Sequence, residues 1–132
     1  MEETQDFNYP VYYLEEKDFD ENGNITNSNI PTNKPVFIMM QANWCPHCRH
    51  AKSDYQLFAD RNENVAFVTS IQVDGKQPGE KNNKKIVRNI YPDFQGYPSY
   101  IVYYNGKRIP FENGRKTQDL EAFLDNVLAG NF

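Results

Sequence analysis

Val36-Phe37-Ile38-Met39-Met40 leads, a few residues on, into Trp44-Cys45-Pro46-His47-Cys48, and the rest of the chain organises around that junction. The unbroken apolar run has the pattern of a strand buried on both faces. Beyond the cysteines, Cys48, Ala51, Tyr55, Phe58 and Ala59 recur at spacings of three and four, which places them on one face of a helix. Pro46 fits only in the first turn, where an amide hydrogen would have no intrahelical partner. Cys45 therefore lies at the helix N-terminus, where unpaired amides and the positive end of the dipole stabilise an anion.

This pair holds the only two cysteines of the chain. At the spacing Cys-x-x-Cys on a first helical turn, two thiols can close a small disulfide and reopen it by thiolate exchange. Cys45 is expected to be the nucleophile. Cys48, one turn deeper, is expected to be the more buried, higher-pKa thiol that resolves a mixed disulfide. His47, when protonated, adds a positive charge that favours the reduced dithiol and so makes the disulfide a better oxidant. Cys45, His47, Cys48 and His50 also offer four potential zinc ligands, but on a helix they fan around the circumference and do not gather round one ion. Neither a metal nor a cofactor is expected.

The remaining elements follow from periodicity. Residues 65–73 alternate in parity as a strand expected at the centre of the sheet, and residues 84–91 carry Ile86, Val87, Ile90 and Tyr91 at helical spacing before Pro92. Residues 100–104 read as a strand, Asn105-Gly106 as a two-residue hairpin turn, and the chain through Arg108 to Phe111 as the returning strand. Leu120, Phe123, Leu124, Val127 and Leu128 mark a closing helix with Thr117 as N-cap. Strand, helix, strand, helix, hairpin and helix is an α/β order. A chain of 132 residues forms one domain able to bury its own core. Residues 9–14 are expected to add an outer strand within a domain spanning 9–132, residues 20–34 to form a loop, and residues 1–8 a flexible tail.

Trp44-Cys45-Pro46-His47-Cys48 after an apolar strand resembles the active site of the thioredoxin superfamily, and Gly96-Tyr97-Pro98-Ser99 is similar to its Gly-x-Pro-Thr segment. Phe111-Glu112-Asn113-Gly114-Arg115-Lys116-Thr117 with the helix after it is similar to the end of a protein disulfide isomerase catalytic domain. The resemblance implies a thioredoxin fold, a mixed sheet of four to five strands flanked by helices, with Pro98 cis and facing the cysteines. It further implies a groove bordered by Trp44, Pro46, Tyr97 and Pro98, where the backbone of Tyr97 pairs with an extended substrate chain. The activity so implied is thiol–disulfide exchange on protein cysteines, as oxidase or isomerase, by a monomer served by a recycling partner: an oxidase, a reductase or glutathione. Arg115 matches an isomerase arginine that can swing toward the site and lower the pKa of the second cysteine.

Two departures from the family pattern stand out. Many members carry a buried carboxylate that takes the proton of the resolving thiol, and Met39 stands at that position; the lysine that often partners it falls near Ser70. Slower resolution of mixed disulfides is the expected consequence. A general thioredoxin-like reductant is an alternative, against which His47 argues. A non-catalytic binding module is another, opposed by the intact Cys45, Cys48, Trp44 and Pro98.

With a net charge of -4, nucleic-acid binding is not indicated, and Lys76, Lys81, Lys84, Lys85 and Arg88 read as a solvated surface. No apolar stretch approaches membrane-spanning length, so no membrane partner is expected. Met1-Glu2-Glu3 lacks the basic start of a leader, which points to the cytoplasm. Pro46-His47 between the cysteines nevertheless resembles strongly oxidising bacterial members that work in oxidising compartments. Thioredoxin-like proteins of large DNA viruses that assemble in the cytosol offer a reconciliation, with a viral assembly site or the virion as an alternative location.

Overall fold

The sheet is built around β2, Val36–Gln41, every residue of which is buried. In this computed structural model, which describes residues 7–75 and 78–132, β2 runs parallel to β3 (Phe67–Gln72) and antiparallel to β4 (Ser99–Tyr104). A short β1, Tyr12–Leu14, flanks β3 in parallel, and β5, Lys107–Phe111, flanks β4 in the opposite sense. The spatial order is β1-β3-β2-β4-β5, a mixed five-stranded sheet. Helices α1 (Pro46–Asn62), α2 (Asn83–Ile90) and α3 (Thr117–Leu128) complete the thioredoxin fold.

The apolar continuity of β2 follows from cover on both faces. Phe37 and Met39 join Val68, Tyr100 and Val102 in a core shared with α1 and α3, while Val36, Ile38 and Met40 join Ile71, Ile101 and the α2 residues Ile86 and Val87. Alternation of the strand thus divides one sequence run between two cores. At the hairpin, Asn105 (φ 52°) and Gly106 (φ 75°) both take the positive angles that a mirror-type turn needs. Pro110 is tolerated because β5 is an edge strand.

Several expectations move. The middle of the sheet belongs to β2, because it has strands on both sides that are themselves flanked; β3 is interior but off-centre. Helix α2 begins and ends one residue earlier than the periodicity suggested, with the Tyr91 N–H bonded to the Val87 carbonyl as it closes. Thr117 is the first helical residue and Lys116 the N-cap. Leu128, expected on the buried face of α3, is 45% exposed. Phe7 and Asn8 do not belong to a loose tail: Phe7 packs edge-on against Tyr55 with ring centroids 5.6 Å apart, and the Asn8 N–H donates to Gln56 Oε1 at 2.8 Å. An aromatic ring covered by the α1 core is worth enough to hold the chain there. Residues 1–6 of the expected tail, and Lys76 of the basic surface, lie outside the described residues. Among the described residues, no helix is long and apolar enough to cross a membrane.

Candidate active site

Parallel pairing of β2 with β3 ends at Gln41 opposite Gln72, so the two strand ends lie side by side. Asp74, just past β3, uses that proximity. Its carboxylate accepts the N–H of Asn43 at 2.8–2.9 Å and that of Trp44 at 3.2 Å, and it also receives the Gln72 side-chain amide at 2.9 Å. Arg49, from the first turns of α1, donates to the Asn43 carbonyl at 2.7 Å. The connection that delivers Cys45 is therefore tied from both sides.

Cys45 is the N-cap of α1, with extended backbone (φ −89°, ψ 112°) and Pro46 next in the chain. Its Sγ accepts the Cys48 N–H at 3.1 Å, filling the role a serine or aspartate oxygen plays at ordinary helix starts. The two cysteines are free thiols, and both are buried, Cys45 at 3% and Cys48 at 0% exposure. Burial above all, then the hydrogen bond and charge of Cys45, pushes the Cys48 thiol up to about 12; a backbone hydrogen bond with Ala42 and, less, the Lys52 charge pull the other way.

Opposite the pair, the Tyr97–Pro98 bond is cis and the Cys45 thiol donates to the Tyr97 carbonyl at 3.4 Å. Trp44, 61% exposed, stands edge-on to Tyr97 at 5.7 Å, and Phe94 packs on Tyr97 at 4.6 Å, so three aromatic rings form a rim beside the sulfur. Pro46 and His47 are exposed on the first turn of α1. Tyr91 is core: it is 5% exposed, its hydroxyl bonds Glu112, and burial raises it to about 12.

Arg115 makes no hydrogen bond or ion pair with Cys48 in this conformation among the described residues. Arg115 is exposed on the loop before α3, and its charge acts on the buried Tyr100 hydroxyl, whereas the cation acting on Cys48 is Lys52. Gly114 sets this course: its φ of 130° suits glycine, and a Cβ there would come within 2.3 Å of the Asp119 carboxylate that receives the Lys116 N–H. Met39 and Ser70 are register partners, both fully buried, with the Ser70 hydroxyl accepting from Gln41 Nε2 at 2.9 Å. His47 and His50 point to solvent while both sulfurs are buried, and among the described residues no group of three or more His, Cys, Asp or Glu side chains is placed to hold a metal ion.

Sequence reasoning missed Asp74, Lys52 and the environment of Tyr100. Only Asp74 had a signal: an Asp-Gly pair closing the strand that runs parallel to the one carrying the cysteines.

The thioredoxin family model matches residues 11–126. A protein of Invertebrate iridescent virus 6 described as thioredoxin-like is 42% identical over 120 residues, covering 83% of this chain and 86% of its own length. Protein disulfide-isomerase of Saccharomyces cerevisiae is 30% identical over 94 residues; these are 69% of this chain but only 16% of that protein. In three dimensions, the first thioredoxin domain of mouse protein disulfide-isomerase A4 superposes with a TM-score of 0.66 at 18% identity, covering 89% of this chain and 74% of that domain structure.

Proposed function

Because the chain belongs to the thioredoxin family, we propose that it is a thiol–disulfide oxidoreductase of protein cysteines, working as a disulfide oxidase or isomerase through Cys45 and Cys48. Family and relatives support thiol–disulfide oxidoreductase chemistry in general. The observation that carries the reading is the Cys45 sulfur itself: it caps α1, receives the Cys48 N–H at 3.1 Å, and faces the Tyr97–Pro98 turn. Amides and dipole at that position favour a thiolate.

In the oxidising direction a substrate thiolate attacks Cys45 of the disulfide, the Cys45–Cys48 bond breaks, and Cys48 leaves with the electron pair. A second substrate thiolate then displaces Cys45, leaving the substrate oxidised and the pair reduced. The reverse sequence reduces a substrate disulfide. His47, when protonated, favours the reduced pair, while Trp44, Tyr97 and Pro98 border the groove for an extended chain, its backbone pairing with that of Tyr97. An oxidase, a reductase or glutathione regenerates the protein. The proposed setting is the cytosol, with a viral assembly site as the alternative.

The test is the reduction potential of the pair, equilibrated against glutathione and read by the fluorescence of Trp44, the sole tryptophan. Each 30 mV is about 1.4 kcal/mol between the two states. A potential clearly more oxidising than the cytosolic glutathione pool is expected; a strongly reducing one would assign the protein to the general reductants instead.

A further inference from the structure

A cavity of about 770 Å³ opens beside Pro98, between the Tyr97–Pro98 turn, the start of β4 and the loop into α3. Tyr100 lines it. This side chain is only 3% exposed, and among the described residues its hydroxyl has no hydrogen-bond partner. Buried polar groups are nearly always paired, so an orphan on a cavity wall asks for an occupant. The neighbouring buried phenol, Tyr55, shows the ordinary outcome, donating to the Thr69 carbonyl at 2.7 Å.

The rest of the wall narrows the chemistry. Arg115 and Lys116 line the cavity and are exposed, and the Arg115 charge acts on the Tyr100 hydroxyl. Helix α3 begins at the same wall, but its first amides are already taken by Asp119 and Asp54 and are not free for a ligand. Two acids also line it, Glu112 receiving the Tyr91 hydroxyl and Asp119 the Lys116 N–H; their charges offset those of Arg115 and Lys116, so the preference for an anion is local to Tyr100 and Arg115. Burial holds the Tyr100 phenol protonated far above neutral pH, so it meets a ligand as a donor. A donor and a guanidinium together suit a group that only accepts and carries negative charge.

We propose that this cavity is a carboxylate subsite of the substrate groove, in which Tyr100 donates a hydrogen bond and Arg115 supplies the charge that reads an acidic side chain close to the substrate cysteine. The inference rests on the function proposed above, since the occupant is a polypeptide laid along the Tyr97–Pro98 turn. The hydroxyl is covered in the free protein, so its cover has to open as the carboxylate enters.

Paired extended peptides test it, identical except for Glu or Gln within three residues of a central serine that stands in for cysteine. Binding to the full chain is read by Trp44 fluorescence, and exchange is measured separately with the cysteine forms. The Glu peptides are expected to bind roughly fivefold or more tightly than the Gln peptides. That ratio should fall to near one in Tyr100→Phe and in Arg115→Gln. Equal binding of the two peptides, or a preference that survives both substitutions, overturns the subsite. Displacement of the Glu peptide by glutathione at equal concentration would reassign the wall to a small thiol's carboxylates and also overturn a polypeptide ligand. An intact Glu preference without any exchange of the cysteine peptides would strike the proposed activity alone.

Discussion

Helices α1 and α3 lie on the same face of the sheet and meet each other, yet their first turns are satisfied in opposite ways. At α1 the cap is a sulfur, Cys45, holding the Cys48 N–H, and no acidic residue stands in the first turn. At α3 the caps are carboxylates: Asp119 receives the Lys116 N–H at 3.2 Å, and Asp54, reaching across from α1, receives the Thr117 N–H at 3.0 Å and its hydroxyl at 2.8 Å. A carboxylate at a helix start, ionised at neutral pH, serves the stability of the fold. A titratable sulfur in the same place ties the helix cap to the redox chemistry. The first turn of α1 itself contributes no second negative charge beside the Cys45 sulfur.

The comparison breaks most sharply at Cys45. Cys45→Ser keeps an oxygen cap, so thermal unfolding should be nearly unchanged while disulfide exchange falls on the order of a thousandfold or more. A variant that keeps appreciable exchange would separate the chemistry from the cap. Next comes the tether behind it. Asp74→Ala leaves the Asn43 and Trp44 N–H groups without their carboxylate and should lower stability in urea by about 1.5–3 kcal/mol, with a change in Trp44 emission. A silent variant would mean that the turn holds itself.

Asp54→Ala removes the α1–α3 clamp and should cost about 1–2 kcal/mol, the lower part of the range because the carboxylate is partly solvated. Its pH dependence has a definite sign. The Thr117 bonds hold the Asp54 carboxyl below its ordinary value near 3.8, so its contribution is complete above that value and fades as the pH falls through the lower folded one. Urea titrations of wild type and Asp54→Ala should therefore converge in acid. The smallest effect at neutral pH belongs to Cys48. Raised from about 9 to about 12, it binds its proton more tightly folded than unfolded, so the reduced protein should lose stability as the pH climbs above about 9. Part of that loss should be missing in Cys48→Ser; identical alkaline curves would show that burial does not hold the proton.

Much of this was legible in the chain because local rules and tertiary demands agreed. The apolar run of β2, Pro46 at the first helical position, Asn105-Gly106 and the stripe of α3 each state one local conformation and one buried face. What could not be read depended on distant pairs. Asp74 serves a turn about thirty positions earlier in the chain, and Asp54 caps a helix 63 residues away. Thr117 looked like a cap by residue type and yielded that place to Lys116, because its own N–H and hydroxyl were claimed by Asp54.

By itself, the sequence determined that two thiols share a first helical turn behind a doubly buried strand, because spacing, proline chemistry and hydrophobic period are local properties of the backbone. The tertiary structure alone decided the surroundings of those thiols: the Asp74 tether, the Tyr97 carbonyl opposite Cys45, Lys52 near Cys48, and the unpaired Tyr100 hydroxyl on the wall beside Pro98. Burial and electrostatics depend on distances through space, and those exist only once β2, β3 and β4 have set their register.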